Sequence, residues 1–182
     1  MLLSLDISTS TIGIAIFDGN HKLHELSYVK FDKKEKCLFK KLDAFILYLD
    51  NKYKGIEFDD IAIEKSLVHF KSKFSSADVI SKLTTMNALV SGFLYKRFNV
   101  LPIFYNVQTA RSLAFPGIKF TKQEKSAKYI VWEAFIKIYP TINWEYSKRT
   151  HKLIDQTFDS VDAAVIGIAH IVSKIKAKST TK

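Results

Sequence analysis

One carboxylate inside the first apolar segment constrains this chain more than any other feature. Residues 2–7 read Leu-Leu-Ser-Leu-Asp-Ile, and residues 12–17 resume a β-branched, apolar pattern after the Ser8-Thr9-Ser10-Thr11 turn. The two runs and their turn spell a β-hairpin. Side chains alternate across a strand, so Asp6 faces away from the side that Leu5 and Ile7 occupy. A charge held in a strand destabilises the fold unless a partner or an ion neutralises it. Taken alone, Asp6 is explained equally well by a buried lysine partner, by hydrogen bonds from the following turn, or by a functional role.

The remaining pattern places that strand in a sheet. Asp18-Gly19-Asn20 is a turn signal, and residues 24–31 alternate well enough to supply a third antiparallel strand. From 36 to 53, Leu38, Leu42, Phe45, Ile46 and Leu49 recur at steps of three and four, which predicts a helix ended by Gly55. Ile61-Ala62-Ile63 reads as a central strand reached by a crossover, with Glu64 at its C-terminal end. Ser75 or Ser76 can cap a helix over 77–98, followed by a strand over 100–105 and a short helical turn capped by Asn106. Further helices are predicted over 122–139, stopped by Pro140, and over 160–176. The order β-β-β-α-β-α-β-α-α predicts an α/β fold: a mixed five-stranded sheet with helices on both faces and the first strand central. Residues 1–178 form one expected domain, with a flexible basic tail over 179–182 and loose packing from Lys174 onward. The polar stretch 143–157 is long enough to move or to face a ligand.

Charge narrows the partner. Lys and Arg total 28 against 18 Asp and Glu, a net charge of +10, which favours polyanions and nucleic acid above all. The basic residues do not gather on one amphipathic helix, so a membrane surface is not expected as a partner. Cys37 is the sole cysteine, which excludes an internal disulfide and a Cys-rich zinc site. The apolar opening stops at Asp6 and has no basic leader, and the run 163–172 is too short to span a bilayer and carries His170. The expected location is cytoplasmic.

Two more acids complete a pattern. Glu64 ends a strand expected beside the first, where two like charges at one sheet end are costly without a cation. Asp159 and Asp162 are spaced i, i+3 before Ala163-Ala164-Val165-Ile166, so they share one helix face. Such a pair by itself only complements a helix N-terminus. The combination, with no His or Cys set beside it, suits Mg²⁺, with Mn²⁺ as a substitute. Two such ions about 3.5 to 4 Å apart can clamp the attacking and leaving oxygens of a phosphodiester. In a basic chain this points to a nuclease.

The segments Ser4-Leu5-Asp6-Ile7-Ser8, Ile61-Ala62-Ile63-Glu64 and Asp159-Ser160-Val161-Asp162-Ala163-Ala164-Val165 resemble the RuvC-like Holliday junction resolvases of the ribonuclease H-like superfamily. The Asp-x-x-Asp-Ala pattern opening an apolar last helix is the most specific of the three. The resemblance implies a structure-selective endonuclease that resolves four-way DNA junctions by paired symmetric nicks, working as a homodimer with two metal ions per site. It implies Asp6, Glu64, Asp159 and Asp162 as ligands, and a lysine near the start of the preceding helix, where Lys125 stands. Lys125 reads equally as a solvated lysine among Lys122 and Lys128. Asp6-Ile7-Ser8 replaces the Asp-Pro-Gly of bacterial members, Leu67 replaces an aromatic three residues after the Glu, and no Gly-x-Gly precedes Lys125. These departures point to divergent phage or mitochondrial-type branches.

Residues 65–76 mix Lys65, Lys71 and Lys73 with His69, Phe70 and Phe74, and interleaved basic and aromatic side chains can grip phosphates while a ring stacks on a base. Either phenylalanine reads equally as a core residue. Arg111, Lys119, Lys122, Lys148 and Arg149 are further phosphate candidates. On the helix 77–98, core packing accounts for Val79, Ile80, Leu83, Met86, Val90, Phe93 and Leu94, and the small residues Ala77, Thr84, Ala88 and Ser91 leave a side that a second copy could approach. Ribonuclease H or a flap-DNA nuclease is the alternative within the fold. An actin-like ATPase is disfavoured because it needs two such domains, and a non-catalytic DNA-binding module would have no use for the acids.

Overall fold

A computed structural model of the chain describes residues 1–66, 77–118, 120 and 126–180. Its strands are β1 (Leu2–Ile7), β2 (Thr11–Phe17), β3 (Leu23–Lys30), β4 (Asp60–Glu64) and β5 (Ile103–Tyr105). The helices are α1 (Leu38–Lys52), α2 (Ala77–Phe98), α3 (Val107–Ala114), α4 (Ala127–Ile138) and α5 (Asp155–Thr180). The sheet order is β3-β2-β1-β4-β5. β2 is antiparallel to both β1 and β3, whereas β4 is parallel to β1 and to β5. The expected mixed sheet with a central first strand is therefore present.

Strand alternation sorts the core into two layers. Leu3, Leu5, Ile7, Ile12, Ile14 and Ile16 pack with Phe45 and Leu49 of α1 and Met86, Val90 and Leu94 of α2. Leu2, Ala15, Phe17 and Ala62 pack on the other face with Val161, Ala163, Ala164 and Val165 of α5 and with residues of α3 and α4. Asp6 and Glu64 belong to this second face by their alternation with Leu5, Ile7 and Ile63.

Small residues let α5 lie directly on that face. A β-carbon at Gly167 would meet the Phe17 ring at 2.3 Å, and the buried Ser4 hydroxyl donates to the Ala163 carbonyl at 2.6 Å. Both contacts fix the height and register of α5 over β1 and β2.

Several boundaries differ from the sequence reading for identifiable reasons. β5 begins at Ile103 rather than at 100, because Pro102 has no amide to give the ladder. The short turn after Asn106 is a helix of eight residues, whose cap side chain accepts from the Gln108 amide at 3.0 Å. α4 starts after the Ser126 cap rather than at 122. α5 starts at Asp155, so Asp159 and Asp162 stand inside the helix rather than at its opening. Near its far end the Lys174 ammonium bonds both carboxylate oxygens of Asp60 at 2.9 and 2.7 Å, the helix runs to Thr180, and residues 181–182 of the expected tail lie outside the described residues. On α2, Val79 is exposed and Ile80 and Leu83 are half-buried, so the core packing expected along the whole helix begins at Met86. No described helix is long and apolar enough to cross a membrane.

Candidate active site

The chemistry gathers where the parallel strands end. Leu5 pairs with Ile63 in the β1–β4 register, so Asp6 and Glu64 follow side by side at the C-terminal ends of adjacent strands. Gly13 is the partner of Asp6 on β2, and a β-carbon there would sit 2.1 Å from the Asp159 carbonyl oxygen. Only a glycine permits this approach, which brings the Asp159 turn of α5 down beside Asp6. The result is a cavity of about 260 Å³ whose lining includes Asp6, Glu64, Asp159, Asp162, Arg111 and Lys128. Lys65, Ser8 and Leu83 also line it.

The sequence 8–11 makes a rigid rim. The Ser8 amide donates to the Thr11 carbonyl at 2.9 Å, and the Ser8 hydroxyl accepts from the Thr11 and Ser10 amides at 3.0 and 3.2 Å. The buried Lys41 ammonium donates to the Thr9 carbonyl, tying the rim to α1. On the opposite side, the buried Asn87 amide group donates to the Glu64 carbonyl at 3.0 Å and anchors the end of β4 to α2.

Two basic side chains hold the acids of α5. Arg111, buried on α3, donates to Asp162 at 3.2 Å, and Lys128 on α4 donates to Asp159 at 3.1 Å. Among the described residues, no hydrogen bond or ion pair reaches the Asp6 carboxylate, and Glu64 is engaged only through its backbone carbonyl. The electrostatics follow from that asymmetry. Burial raises the Asp6 carboxyl well above its usual range, and Glu64, Asp162 and Asp159 push it further, while Lys128 opposes them. Glu64 is pushed up to about 7, first by burial and then by Asp162, with Arg111 and Lys128 pulling the other way. Burial also raises Asp162, against the pull of Arg111 and Lys128. Burial works against the charged form of Lys128, yet Asp159, Asp162 and Asp6 together hold it more basic than usual.

An all-oxygen set in which two acids have no cationic partner among the described residues fits a hard divalent ion. Among the described residues, no three acidic or histidine side chains converge as a ready-made ligand set. Two of the four acids turn instead to Arg111 and Lys128, which satisfy their charge.

The sequence candidates divide clearly. Asp6, Glu64, Asp159, Asp162, Lys65 and Arg111 share the cavity. Arg111 lines the cavity with its guanidinium largely buried against Asp162, because α3 packs along α5. Lys148 and Arg149 are exposed on the turn before α5 and do not line the cavity. Lys125, Lys119 and Lys122, together with His69, Phe70, Lys71, Lys73 and Phe74, lie outside the described residues. The sequence reading had no role for Lys128 beyond a helix-face charge. Its signal was the spacing from Ser126: with that residue as the cap, Lys128 falls in the first turn, which faces α5.

A mixed sheet with acids at the ends of two adjacent parallel strands, faced by acids from a long closing helix, defines the ribonuclease H-like class of fold. No protein-family model matches the chain, and no curated protein matches it in sequence. Among solved structures, the Thermus thermophilus RuvC complex with a Holliday junction substrate aligns over 96% of this chain and 94% of its own, with a TM-score of 0.62 and 12% identity. The yeast mitochondrial Holliday junction resolvase Ydc2 aligns over 98% of this chain and 80% of its own, with a TM-score of 0.60 and 13% identity. Fowlpox virus resolvase, in complex with its substrate Holliday junction DNA, aligns over 95% and 99%, with a TM-score of 0.50 and 17% identity. The chain has the fold of the RuvC-like resolvases.

Proposed function

We propose that this chain is a divalent-metal-dependent DNA endonuclease selective for branched DNA, resolving four-way junctions by paired symmetric nicks. The observation that carries this reading is one cavity in which acids from β1, β4 and α5 meet two basic side chains, at the sheet end of a resolvase fold.

Asp6, Glu64, Asp159 and Asp162 would hold two Mg²⁺ ions, which supply charge neutralisation at the cleaved phosphate when bound. The chain's own residues set the stage for that chemistry. The two strand acids are fixed by the sheet, and the two helix acids by the seat of α5 on Gly13. Arg111 holds Asp162 in place, and Lys128, half-exposed at the cavity, puts a positive charge beside the path of a phosphodiester. Lys65 at the rim adds a second charge on the side of β4. A homodimer would present two such cavities, as paired incisions require.

The test is an incubation of labelled four-way junction, linear duplex and RNA–DNA hybrid with Mg²⁺. Symmetric nicks confined to the junction are the expected outcome. Equal cutting of the hybrid would instead favour a ribonuclease H, and cutting of flaps and three-way branches without symmetry would favour a general branched-DNA nuclease.

A further inference from the structure

A second depression of about 610 Å³ adjoins the active cavity and shares Asp159 with it. One wall is the end of the β2–β3 hairpin: Ser10, Thr11, Lys30, Phe31 and Lys33. The other is the turn and helix start that precede Asp159, including Ser147, Thr150, Lys152, Leu153 and Gln156. Both walls are built rather than draped. The Phe31 amide donates to the Ser10 carbonyl at 3.0 Å, and the Phe31 ring is buried beneath the ammonium of Lys41 at 5.8 Å. Across the groove, the Ser147 amide donates to the Lys152 carbonyl at 2.8 Å and the His151 amide to the Ser147 carbonyl at 2.9 Å, and Tyr146 bridges to Leu153.

Its charge is distinctive. Lys30, Lys33 and Lys152 are exposed, and among the described residues none of the three has a carboxylate partner, although Lys40, Lys52, Lys82, Lys128 and Lys174 all do. Ser10 and Thr150, both exposed, and the half-buried Ser147 lie among them, while the Thr11 side chain is buried. The two acids on its border are Asp155 and Asp159, the second already held by Lys128. Unpaired ammonium groups interleaved with hydroxyls make a surface suited to a row of phosphates, since both groups donate to phosphate oxygens without reading base sequence. Continuity with the active cavity through Asp159 identifies whose phosphates those are.

We propose that this groove is a DNA-backbone site that grips the duplex arm running away from the cleaved phosphate, with Lys30, Lys33 and Lys152 as its phosphate contacts. The inference rests on the endonuclease reading of the adjoining cavity. It assigns the β2–β3 hairpin and the turn 147–152 a shared task of setting the angle at which one arm leaves the site. Positioning of this kind carries no sequence preference.

The test compares wild type, the triple variant Lys30→Ser/Lys33→Ser/Lys152→Ser, and a control that replaces three exposed lysines outside the groove, Lys54→Ser/Lys96→Ser/Lys137→Ser. Binding of labelled duplex and four-way junction is measured by fluorescence anisotropy over a salt series in EDTA. Each phosphate contact contributes roughly 0.9 to the slope of log affinity against log salt. The groove variant is expected to lose about 2 to 3 of that slope and at least about tenfold in affinity at moderate salt, with the control close to wild type. A groove variant with the wild-type slope, or a control that loses as much, overturns the proposal. Cleavage of the junction by wild type with Mg²⁺ is read separately. A wild type that binds but never cuts sinks the endonuclease reading while the slopes still decide the groove, and a wild type that does not bind DNA sinks both.

Discussion

Gly13 and Asp159 meet at backbone distance: a β-carbon on the strand residue would lie 2.1 Å from the helix carbonyl. Gly13 is also the cross-strand partner of Asp6. One missing side chain thus sets the separation between the acid of β1 and the acids of α5. Gly13→Ala is expected to destabilise the protein by about 1 to 3 kcal/mol as α5 is pushed outward. Junction cleavage should fall by more than the lost folded fraction accounts for. Denaturant melts run beside cleavage rates on the folded protein check this, and wild-type cleavage in a folded Gly13→Ala protein would show that the spacing is not critical.

Asp6 stands among Glu64, Asp159 and Asp162 with no basic partner in hydrogen-bonding reach among the described residues. Asp6→Asn keeps the shape and removes the charge. We expect cleavage to drop at least about 100-fold, as loss of a ligand should exceed the loss of a residue that merely orients one. Junction binding by anisotropy should stay within a few fold. A variant that still cuts at the wild-type rate would refute the assignment of Asp6.

The raised carboxyls give metal-free protein an unusual pH dependence. For an acid whose folded value lies above its unfolded value, the folded state holds the extra proton, so stability is present at low pH and is lost as pH rises through the folded value. For Glu64 that window runs from its ordinary 4.5 up to about 7, and Asp6 shifts in the same direction. Melts in EDTA should therefore show stability falling between these pH values, with a flatter profile for Glu64→Gln. Added Mg²⁺ should stabilise the protein more at pH 8 than at pH 5, because protons compete for the same oxygens. An EDTA profile that rises across the window would contradict the electrostatics described above.

Arg111 and Asp162 form a buried ion pair, with side-chain exposures of 10% and 8%. Removing one partner strands the other. Arg111→Ala is expected to cost about 3 to 5 kcal/mol in metal-free protein, and Arg111→Ala/Asp162→Ala less than the sum of the two single variants. A double-mutant cycle by urea denaturation measures the coupling. Strict additivity would mean that the pair contributes nothing beyond its separate burial.

What was legible in the sequence was what periodicity and strand ends encode. Alternation around Leu5, Asp6 and Ile7 placed the acid on the face opposite the α1–α2 core, and the apolar run after Asp162 identified the closing helix. The phase of α4 was obscured: three lysines at 122, 125 and 128 look alike along the chain, and only the Ser126 cap decides that Lys128 reaches Asp159. The pairing of Arg111 with Asp162 was hidden because α3 has few large apolar residues to advertise its buried side, where Ala110 and Ala114 allow the helix to sit close to α5. The polar opening Asp155-Gln156-Thr157 hid the first turn of α5.

The hydrogen bond from Ser4 to the Ala163 carbonyl joins residues 159 positions apart. The same seam brings Asp6 to Asp159 and Asp162, which are made long after it. A chain still emerging from the ribosome therefore holds the strand half of the cavity without the helix half. The four acids stand around one cavity only when α5 has been synthesised and has settled on the sheet.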